Sequence, residues 1–419
     1  MINPAGFARS EGLNRPLVVS VALLGLFGLA TLYSAGQTDV PTPAADIWQK
    51  QMVWFTVGIG LAAVSFRLSP RYLEWMTPAI YVFAVSLLVL TLIVGTGAGT
   101  AASVRSWIAL GGMRIGQPAE LAKLATILML ARLLASRRAA ANSLRDLIPA
   151  SVVAGVPLLL VALQPDLGSA FVFVGILFAV LFWAGANPWL LLLLASPLIS
   201  LLLSFSVFSW GIWIVLLTAL LVWLRPFILE ATAVWLTNVV MGIMSLQLWG
   251  TLAPYQKNRL LSFLNPEFDP QATGWHLIQS KVAIGSGGIL GKGFTEGTQK
   301  RLAFLPEQHT DFIFPVVGEE LGLAGVVVAL ALFTTFLLAL VRIAGHATDS
   351  YSSLLVFGVA GMIFAHVIQN IGMTVGLMPI TGIPLPLFSY GGSFVIVFWV
   401  SVGLALRVGW DSRLAGYHN

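Results

Sequence analysis

The residues best suited to chemistry lie in one polar block, 255–311, within a chain that is otherwise mostly apolar. This block contains six Lys and Arg residues, five carboxylates, two histidines and seven glycines. Lipid offers no partners for backbone N–H and C=O groups. A block of this composition must therefore lie in water or line a watery cavity. We expect it to carry the chemistry while the apolar segments hold it at a membrane.

Asp269 is the carboxylate in this block whose surroundings best suit proton transfer. Glu267 stands two residues before it and Pro270 directly after it. A carboxylate in a loop beside a membrane and a like charge can have a raised pKa, which suits a general base. Asp before Pro is also common in Asx turns. Taken alone, these residues favour the turn over catalysis.

Two other patterns in the block resemble ligand-binding motifs. The glycine-rich stretch at 285–293, GSGGILGKG, is not a phosphate-binding loop, because no Ser or Thr follows Lys292. Glu307, His309 and Asp311 alternate along the chain and could together hold a divalent cation. Such clusters more often cap the following helix, so the sequence predicts no tight metal site.

A second polar segment, 96–118, is rich in Gly and contains Arg105 and Trp107. We expect it to be irregular and to lead into a helix whose first turns carry Glu120 and Lys123. These two residues are three apart and so lie on one helix face. An ionisable pair inside a membrane span is costly and marks a candidate functional site. A mutually satisfied structural ion pair fits the pattern equally well.

Three further polar features are given structural roles. Asp166 is expected to cap the helix that follows it, and His366 to form hydrogen bonds between helices. The stretch 378–393, MPITGIPLPLFSYGGS, contains three prolines and three glycines and cannot form a continuous helix. We expect it to be an irregular segment that lines a cavity.

Composition places the chain in a membrane. Hydrophobic residues make up 58% of the chain and charged residues 9%, whereas soluble domains contain about 25% charged residues. The mean hydropathy is +0.91. There is no cysteine, hence no disulfide or thiolate chemistry. The net charge of +5 is scattered over many loops, which argues against nucleic acid as a partner. The first apolar run is expected to be a retained span.

We predict an all-α polytopic integral membrane protein, a single membrane domain over 1–419 with about twelve transmembrane helices. A membrane span needs roughly 20 apolar residues. The pair between 188 and 224 is apolar all round, which places it at the periphery of the bundle. The spans are 16–36, 50–67, 76–95, 118–136, 147–164, 168–185, 188–205, 208–224, 230–253, 311–342, 351–377 and 392–410.

The distribution of Lys and Arg predicts the orientation. Twelve arginines fall on one side, whereas the short loops of the other side hold only Lys50, Arg105 and Arg114. Because basic residues favour the cytoplasmic side, both termini are predicted to be cytoplasmic and the large loop at 254–310 extracytoplasmic. The basic residues of that loop run against this rule, which favours an anionic ligand. The alternative is that a loop this long is translocated whatever its charge.

Four segments carry a family resemblance: RSWIALGGMRIGQPAELAK (105–123), QPDLGSA (164–170), the long segment from NPEFDPQATGW to VVGEELGL (265–323), and GLMPITGIPLPLFSYGGS (376–393). In these segments the chain resembles the SEDS family (shape, elongation, division and sporulation) of cell-wall polymerases. The forms SKVAIGSGG and GTQKRLAFLPE are closer to its elongation branch, the RodA-like proteins, than to its division branch.

The resemblance implies a peptidoglycan glycosyltransferase of the bacterial cytoplasmic (inner) membrane, which polymerises lipid II on the outer face during elongation and shape maintenance. It implies a class B penicillin-binding protein, the transpeptidase, and other elongation-complex membrane proteins as partners. The family's essential loop aspartate falls on Asp269, its membrane-embedded Glu and Lys on Glu120 and Lys123, and the Arg of its RxW motif on Arg105. Family members are usually ten-span proteins, so an extra helical pair is expected at 188–229.

Lipid II, an undecaprenyl-pyrophosphate-linked disaccharide peptide, sets the chemistry that this resemblance requires. Asp269 is the predicted catalytic base for the acceptor hydroxyl, and the lipid tail stays among the spans and membrane lipid. The pyrophosphate needs cations. No cofactor follows from the sequence, and a divalent cation such as Mg²⁺ is an open alternative source of charge. The predicted substrate-binding residues are Arg105, Trp107, Glu120, Lys123, Lys281, Lys292, Arg301, His309 and Ser389.

Two rival functions remain beside this one. A lipid II flippase would place its site near the bilayer midplane, often between repeated halves, whereas here most polar residues collect at one face and no repeat is evident. A scaffold that only activates its penicillin-binding partner would not need Asp269. The sequence therefore favours an enzyme that acts at the outer face.

Overall fold

The computed structural model describes residues 14–42, 44–97, 106–110, 113–137, 141–252, 254–264, 273–305 and 307–417. These residues form helices joined by short connections, and one pair of strands. In chain order the elements are α1 (Arg15–Ala35), α2 (Ile47–Arg67), α3 (Pro70–Val94), β1 (Ile108–Leu110), β2 (Met113–Gly116), α4 (Pro118–Ala135), α5 (Leu144–Leu163), α6 (Leu167–Trp183), α7 (Pro188–Leu203), α8 (Val207–Leu224), α9 (Ile228–Thr251), α10 (Pro254–Leu264), α11 (Thr273–Ser286), α12 (Thr298–Arg301), α13 (Ile313–Gly345), α14 (Ser350–Val375) and α15 (Gly392–Tyr417).

Each predicted span coincides with one of the helices α1–α9 and α13–α15. Within the described residues, eight helices are long and apolar enough to cross a membrane, namely α1, α3, α5, α8, α9, α13, α14 and α15. Helices α6 and α7 are apolar but shorter, with 17 and 16 residues. The all-α polytopic fold is confirmed, while the number of helices that span the bilayer stays a prediction.

Local sequence signals start many of these helices. Asn14, Ser69, Asp166 and Asp349 each precede a helix, and each side chain accepts a hydrogen bond from the backbone N–H of the third helical residue. The cap predicted at Asp166 is confirmed, with 2.9 Å between Ser169 N and Asp166 Oδ1. Proline occupies the first turn of α1, α3, α4 and α7, where its missing N–H costs no helical hydrogen bond.

The segment before α4 is more regular than the sequence predicted. Strands β1 and β2 pair antiparallel, with Leu110 opposite Met113, and Thr96 pairs with Trp107 beside them. The prediction of an irregular loop over 96–118 is therefore wrong for its second half. The missed signal is the Gly-Gly pair between the strands, which is typical of tight β-hairpins.

Helices α4 and α14 form the centre of the bundle. Most of the 18 residues of α4 are buried, and α14 packs against α4, α6 and α13. Small residues bring α6 and α14 close together, because a side chain at Gly361 would meet Ala179 Cβ at 2.3 Å and one at Gly175 would meet Ala365 Cβ at 2.9 Å. The first turns of α4 lie beside the C-terminal half of α14, where Lys123 contacts His366.

The polar segments gather at one end of the bundle, which we call the loop face. It comprises α10–α12, the β-hairpin, the N-termini of α4, α6 and α13, and the segment 376–391 that follows α14. Gln117 ties these parts together, since its N–H donates to Ser393 Oγ at 3.0 Å and its amide to Asp166 Oδ2 at 3.0 Å. The stretch 378–393 was predicted not to form a continuous helix, and this is confirmed for 378–391, whereas residues 392 and 393 begin α15.

Helix α13 is interrupted at the loop face. Gly322 has φ 62° and ψ −160°, so the helix consists of two parts. The turn after α11 fills the break: Gly288 O and Ile289 O accept hydrogen bonds from Leu323 N and Ala324 N at 2.9 and 3.0 Å. These amides open the second helical part, where no intrahelical acceptor exists. The glycine-rich stretch that follows α11 therefore caps a broken helix.

Helices α7, α8 and α9 form a subsidiary bundle at the edge of the molecule. They share a small apolar cluster of their own and contact the rest of the described helices chiefly through α6. Asn238 of α9 joins them, donating to Ser196 Oγ at 2.8 Å and accepting from Trp213 Nε1 at 3.1 Å. The predicted pair of helices at 188–224 is present as α7 and α8. That this pair is an addition to a ten-span core stays a prediction.

Candidate active site at the loop face

The predicted catalytic residue Asp269 lies outside the described residues, as do its neighbour Glu267 and the predicted pyrophosphate ligand Arg105. Their roles stay predictions. Their sequence neighbours are described: α11 begins four residues after Asp269, and β1 begins three residues after Arg105. The described polar side chains of the loop face form three groups.

The first group is the buried pair in the first two turns of α4. Lys123 Nζ lies 2.8 Å from Glu120 Oε1 and 3.1 Å from His366 Nε2 of α14. Lys123 is 0% exposed and Glu120 2%. The prediction that this pair faces the bundle interior is confirmed, and its role toward substrate stays a prediction. Among the described residues, Glu120 Oε2 has no hydrogen-bond partner, which leaves one acceptor open.

The direction of the hydrogen bonds defines the state of His366. An ammonium group only donates, so His366 Nε2 accepts from Lys123 and carries no proton. The proton on Nδ1 is then donated to Pro384 O, 3.2 Å away. The neutral ring stacks on Phe394 with centroids 4.5 Å apart. His366 thus makes the interhelical hydrogen bond that was predicted, and it also joins α4 to the segment 376–391.

Ser389 holds the segment 376–391 against the large loop. Its Oγ donates to Thr310 O at 2.5 Å and accepts from Leu385 N at 2.7 Å. The residue is 1% exposed, and Gln51 of α2 donates to its carbonyl oxygen at 3.1 Å. The hydroxyl predicted to bind substrate is therefore engaged within the protein. Any contribution of Ser389 to binding has to act through the position of this segment.

Asp311 leads the second group, at the N-terminus of α13. Burial and the nearby charge of Glu307 raise the pKa of Asp311 to about 7, although Arg259 opposes the shift. Asn370 Nδ2 of α14 donates to Asp311 O at 2.9 Å, which fixes the backbone here. Asp311 is therefore a carboxyl group that titrates near neutral pH in the same loop as Asp269.

His309 and Glu307 complete this second group. Their side chains lie 3.9 Å apart, and burial lowers the pKa of His309 against the opposing charge of Glu307. The expectation that the cluster caps α13 is wrong, since the N-cap residue is Phe312 and has no side-chain hydrogen bond. Within the described ranges no three His, Cys, Asp or Glu side chains are grouped to hold a metal ion. A divalent cation would need ligands from elsewhere, and its requirement stays a prediction.

The third group consists of two lysine–carboxylate pairs on the outer part of α13. Lys292 Nζ lies 2.7 Å from Glu319 Oε1, and Lys300 Nζ lies 2.6 Å from Glu320 Oε1. Ser34 of α1 joins the second pair, donating to Glu320 Oε2 at 2.6 Å and accepting from Lys300 at 2.5 Å. Burial lowers the pKa of Lys300, and Glu320 opposes that shift. These buried charges bind the loop to α1 and α13.

The remaining predicted ligands differ in their availability. Arg301 pairs with Asp39 at 3.0 Å and Glu296 at 3.2 Å. Trp107 is half-buried beside the hairpin. Of the four predicted cations that the structure describes, Lys281 is the one without an ion pair to a described residue, and it is exposed. Lys281 can therefore meet an anionic ligand without giving up a carboxylate partner.

Sequence reasoning missed the network of Lys300, Glu319 and Glu320. Part of the signal was present, because two adjacent carboxylates in an apolar helix are costly unless they are paired. Their partners could not be read from the sequence, since Lys300 and Ser34 are 266 residues apart. The contact between His366 and Lys123, 243 residues apart, was hidden for the same reason.

Fold and site together define a polytopic membrane protein whose described lysine–carboxylate pairs lie at one end of a helical bundle, beside a large polar loop. The chain belongs to the FtsW/RodA/SpoVE family: the family model described as "Cell cycle protein" matches residues 14–218 and 206–414. The two matches overlap over residues 206–218, at the start of α8.

Similar proteins cover nearly the whole chain. The peptidoglycan glycosyltransferase MrdB of Escherichia coli (strain K12) is 33% identical over 392 residues, which are 94% of this chain and 92% of the relative. The peptidoglycan glycosyltransferase RodA of Treponema pallidum is 34% identical and aligns over 94% of this chain and 96% of its own length. A solved structure from a peptidoglycan synthase complex that coordinates polymerization and crosslinking has a TM-score of 0.70 and 31% identity, covering 96% of this chain and 99% of that one.

Proposed function

We propose that the chain is a peptidoglycan glycosyltransferase that polymerises lipid II into glycan strands at the outer face of the bacterial cytoplasmic membrane, for cell elongation and shape. The observation that carries this proposal is the match over 94% of the chain to relatives named as peptidoglycan glycosyltransferases. In this proposal the loop face is extracytoplasmic and both termini are cytoplasmic, as the arginine distribution predicts.

The proposed reaction is an inverting displacement at the anomeric carbon of the donor sugar. Asp269 takes the proton of the acceptor 4-hydroxyl, the acceptor oxygen forms the new bond to that carbon, and the bond to the lipid pyrophosphate breaks. The pyrophosphate leaves with its charge, so cations nearby stabilise the transition state. Arg105 and Lys281 are the proposed first ligands, because the described Lys123, Lys292 and Arg301 each hold a carboxylate.

The depth of the Glu120–Lys123 pair supports an interfacial enzyme over a transporter. Lys123 is the sixth residue of α4, so at 1.5 Å per residue it lies about 8 Å from the start of the helix. Transporters keep their sites near the bilayer midplane. We propose that the pair, with the open Glu120 Oε2, forms the floor of a cavity into which the lipid-linked donor is drawn.

A crosslinking partner follows from the same comparison. The neighbour with a TM-score of 0.70 works in a complex that couples polymerization to crosslinking. We infer that a class B penicillin-binding protein binds this chain, together with other membrane proteins of the elongation complex. Two active sites held side by side would crosslink a strand as it emerges, because a tethered partner acts at high effective concentration.

Polymerisation of lipid II by the purified protein in liposomes, with and without the partner, tests the proposal. Glycan strands that depend on Asp269 are the expected product. Transfer of lipid II across the bilayer without polymer formation would show that the protein is a flippase and not a polymerase. Stimulation of partner crosslinking, with no polymer from a folded protein, would leave only a scaffold.

A further inference from the structure

The turn after α11 exposes two large apolar side chains within the polar loop. Ile289 is 72% exposed and Leu290 81%. They stand between Gly288 and Gly291, two glycines with φ of 57° and 81° that allow the tight turn. Two neighbouring Ile and Leu side chains exposed to water are unfavourable, because moving apolar surface out of water stabilises a protein.

Hydrogen bonds fix the height of this turn relative to the bilayer. Ile289 O accepts from Ala324 N at 3.0 Å, just after the break in α13. From Leu323 to Val341 the helix runs for 19 residues without a charged side chain, a rise of about 28 Å. That length matches the hydrocarbon core of a bilayer, about 30 Å thick. The turn therefore lies level with the edge of the hydrocarbon.

The apolar pair also continues a helix face that meets lipid. Leu323 and Val327 are 57% and 55% exposed, and Leu330 and Leu338 lie farther along the same side of α13. Residues spaced by three and four form one stripe on a helix. Because Gly288 O is bonded to Leu323 N, at the first residue of this stripe, the turn extends it.

Several backbone groups of the turn are bonded within the protein, which lowers the cost of placing it beside lipid. Gly288 O and Ile289 O are bonded to α13. Lys292 N donates to Glu319 O at 3.0 Å, and its Nζ pairs with Glu319 on the outer part of the helix. The segment is thus amphipathic, with its charge above the break and its apolar side chains at the level of the span.

We propose that Ile289 and Leu290 insert into the acyl region of the bilayer and anchor the large loop at a set depth. The occupant of this surface is lipid rather than a second protein, because the surface is continuous with the lipid-facing stripe of α13. The anchor acts on α11 through the turn, and Asp269 lies four residues before α11 begins. The proposal does not depend on the reaction that the loop performs.

Site-directed spin labelling tests this in the whole 419-residue chain, whose sequence contains no cysteine. Single cysteines at Leu290, at Glu296 of the same loop and at Val327 of the stripe receive a nitroxide label in liposomes of phosphatidylethanolamine and phosphatidylglycerol. Collision rates are measured with oxygen, which concentrates in lipid, and with a nickel chelate, which stays in water. All three side chains are exposed, so labels at these positions leave the fold intact.

The expected ratio of oxygen to nickel collisions at position 290 is severalfold higher than at 296 and close to that at 327. A ratio like that at 296 would place the turn in water and overturn the proposal. Low collision rates with both reagents would place the turn against protein, in a second copy or another chain, and would equally overturn it. Ile289→Cys repeats the measurement one residue away and is expected to give the same ratio.

Discussion

The proton acceptor is the residue whose loss is expected to matter most. Asp269→Asn keeps the shape and hydrogen-bonding capacity of the side chain but cannot take a proton at neutral pH. Because a general base contributes about 100- to 10,000-fold in rate, polymer formation from lipid II should fall by at least the lower figure. The variant should still fold and bind its penicillin-binding partner. Glycan formation by the purified variant with its partner is the measurement.

Glu267→Gln is the matched control for Asp269→Asn. It removes a charge from the same segment but is expected to cost much less, since Glu267 only adjusts the local field. Near-normal activity of Asp269→Asn with an inactive Glu267→Gln would move the base to Glu267. Normal activity of both variants would exclude this segment from proton transfer.

Replacing Lys123 is expected to be harmful because it leaves the buried Glu120 carboxylate without its ion-pair partner. Lys123→Ala strands the buried Glu120 carboxylate and removes the donor to His366. Breaking a buried pair in this way costs about 3–5 kcal/mol, so Lys123→Ala should lower both stability and activity more than Lys123→Arg. The double variant Glu120→Gln with Lys123→Met removes both charges and should recover thermal stability but not polymerisation. Wild-type polymerisation by the double variant would disprove the cavity role.

Asp311 gives a pH dependence of known sign. Its pKa is raised from 3.8 to about 7, so the folded protein binds more protons than the unfolded chain between these values. The free energy of unfolding therefore loses an Asp311 contribution as pH rises from about 4 to about 7. The Asp311→Asn variant should not show that loss. The melting temperature of the variant minus that of the wild type should therefore increase as pH rises. The lowered pKa of His309 gives a pH dependence of stability with the opposite sign. The measurement is therefore the difference in melting temperature between the variant and the wild type, in which the His309 contribution cancels. A difference independent of pH would contradict the raised pKa.

At the residue scale, the sequence predicts positions better than partners. The spacing of Glu120 and Lys123 predicts their ion pair because three residues on a helix define a shared face. His366 was recognisable as a polar residue in a span, but its contact with Lys123 depends on how α4 and α14 pack. The engaged hydroxyl of Ser389 is likewise a product of tertiary structure, since Thr310 lies 79 residues away.

At the scale of the elements, the turn after α11 requires glycine at position 291. Gly291 has φ 81°, and an added Cβ would lie 2.0 Å from Glu320 O. Gly291→Ala should therefore destabilise the protein by more than about 1 kcal/mol, through backbone strain alone before the clash is counted. A lowered melting temperature in detergent is the expected result, with the membrane-embedded helices still formed.

Gly285→Ala is the matched control for Gly291→Ala. Gly285 lies in the last turn of α11, and an added Cβ would meet no atom within 4 Å beyond the adjoining backbone of its own helix. Alanine in a helix is favoured over glycine by about 1 kcal/mol, so this variant should be neutral or slightly more stable. Equal destabilisation by both changes would mean that the turn does not dock on α13 as described.

The helices could be predicted from sequence because lipid leaves the backbone few alternatives. Each apolar run of sufficient length has to satisfy its own hydrogen bonds, and a helix does so within the segment. The break at Gly322 had no such signal, since glycine occurs in many uninterrupted spans. It is stabilised by the turn around Gly288, whose hydrogen bonds to α13 are visible only once the loop has folded back.

For the whole molecule, the polar segments lie at one end of the bundle and several arginines lie at the other. The loop face collects the hairpin, the large loop and the segment 376–391. Arg67, Arg132, Arg225 and Arg342 all lie at or next to the opposite ends of their helices. Basic residues in short loops favour the cytoplasmic side, so the loop face is predicted to be extracytoplasmic.

This orientation can be tested because the chain contains no cysteine and gives no background labelling. Single cysteines at Thr273, where α11 begins, and at Ala140, between α4 and α5, are exposed to an impermeant thiol reagent on intact spheroplasts. Position 273 should be labelled, and position 140 should react only after the membrane is permeabilised. The large loop and the α4–α5 connection lie on opposite faces of the bundle, so only one of the two positions is accessible from outside. Labelling at 140 but not at 273 would mean that the orientation is the opposite of the predicted one. Asp269 would then lie in the cytoplasm, where it could not serve a polymerase that acts at the outer face.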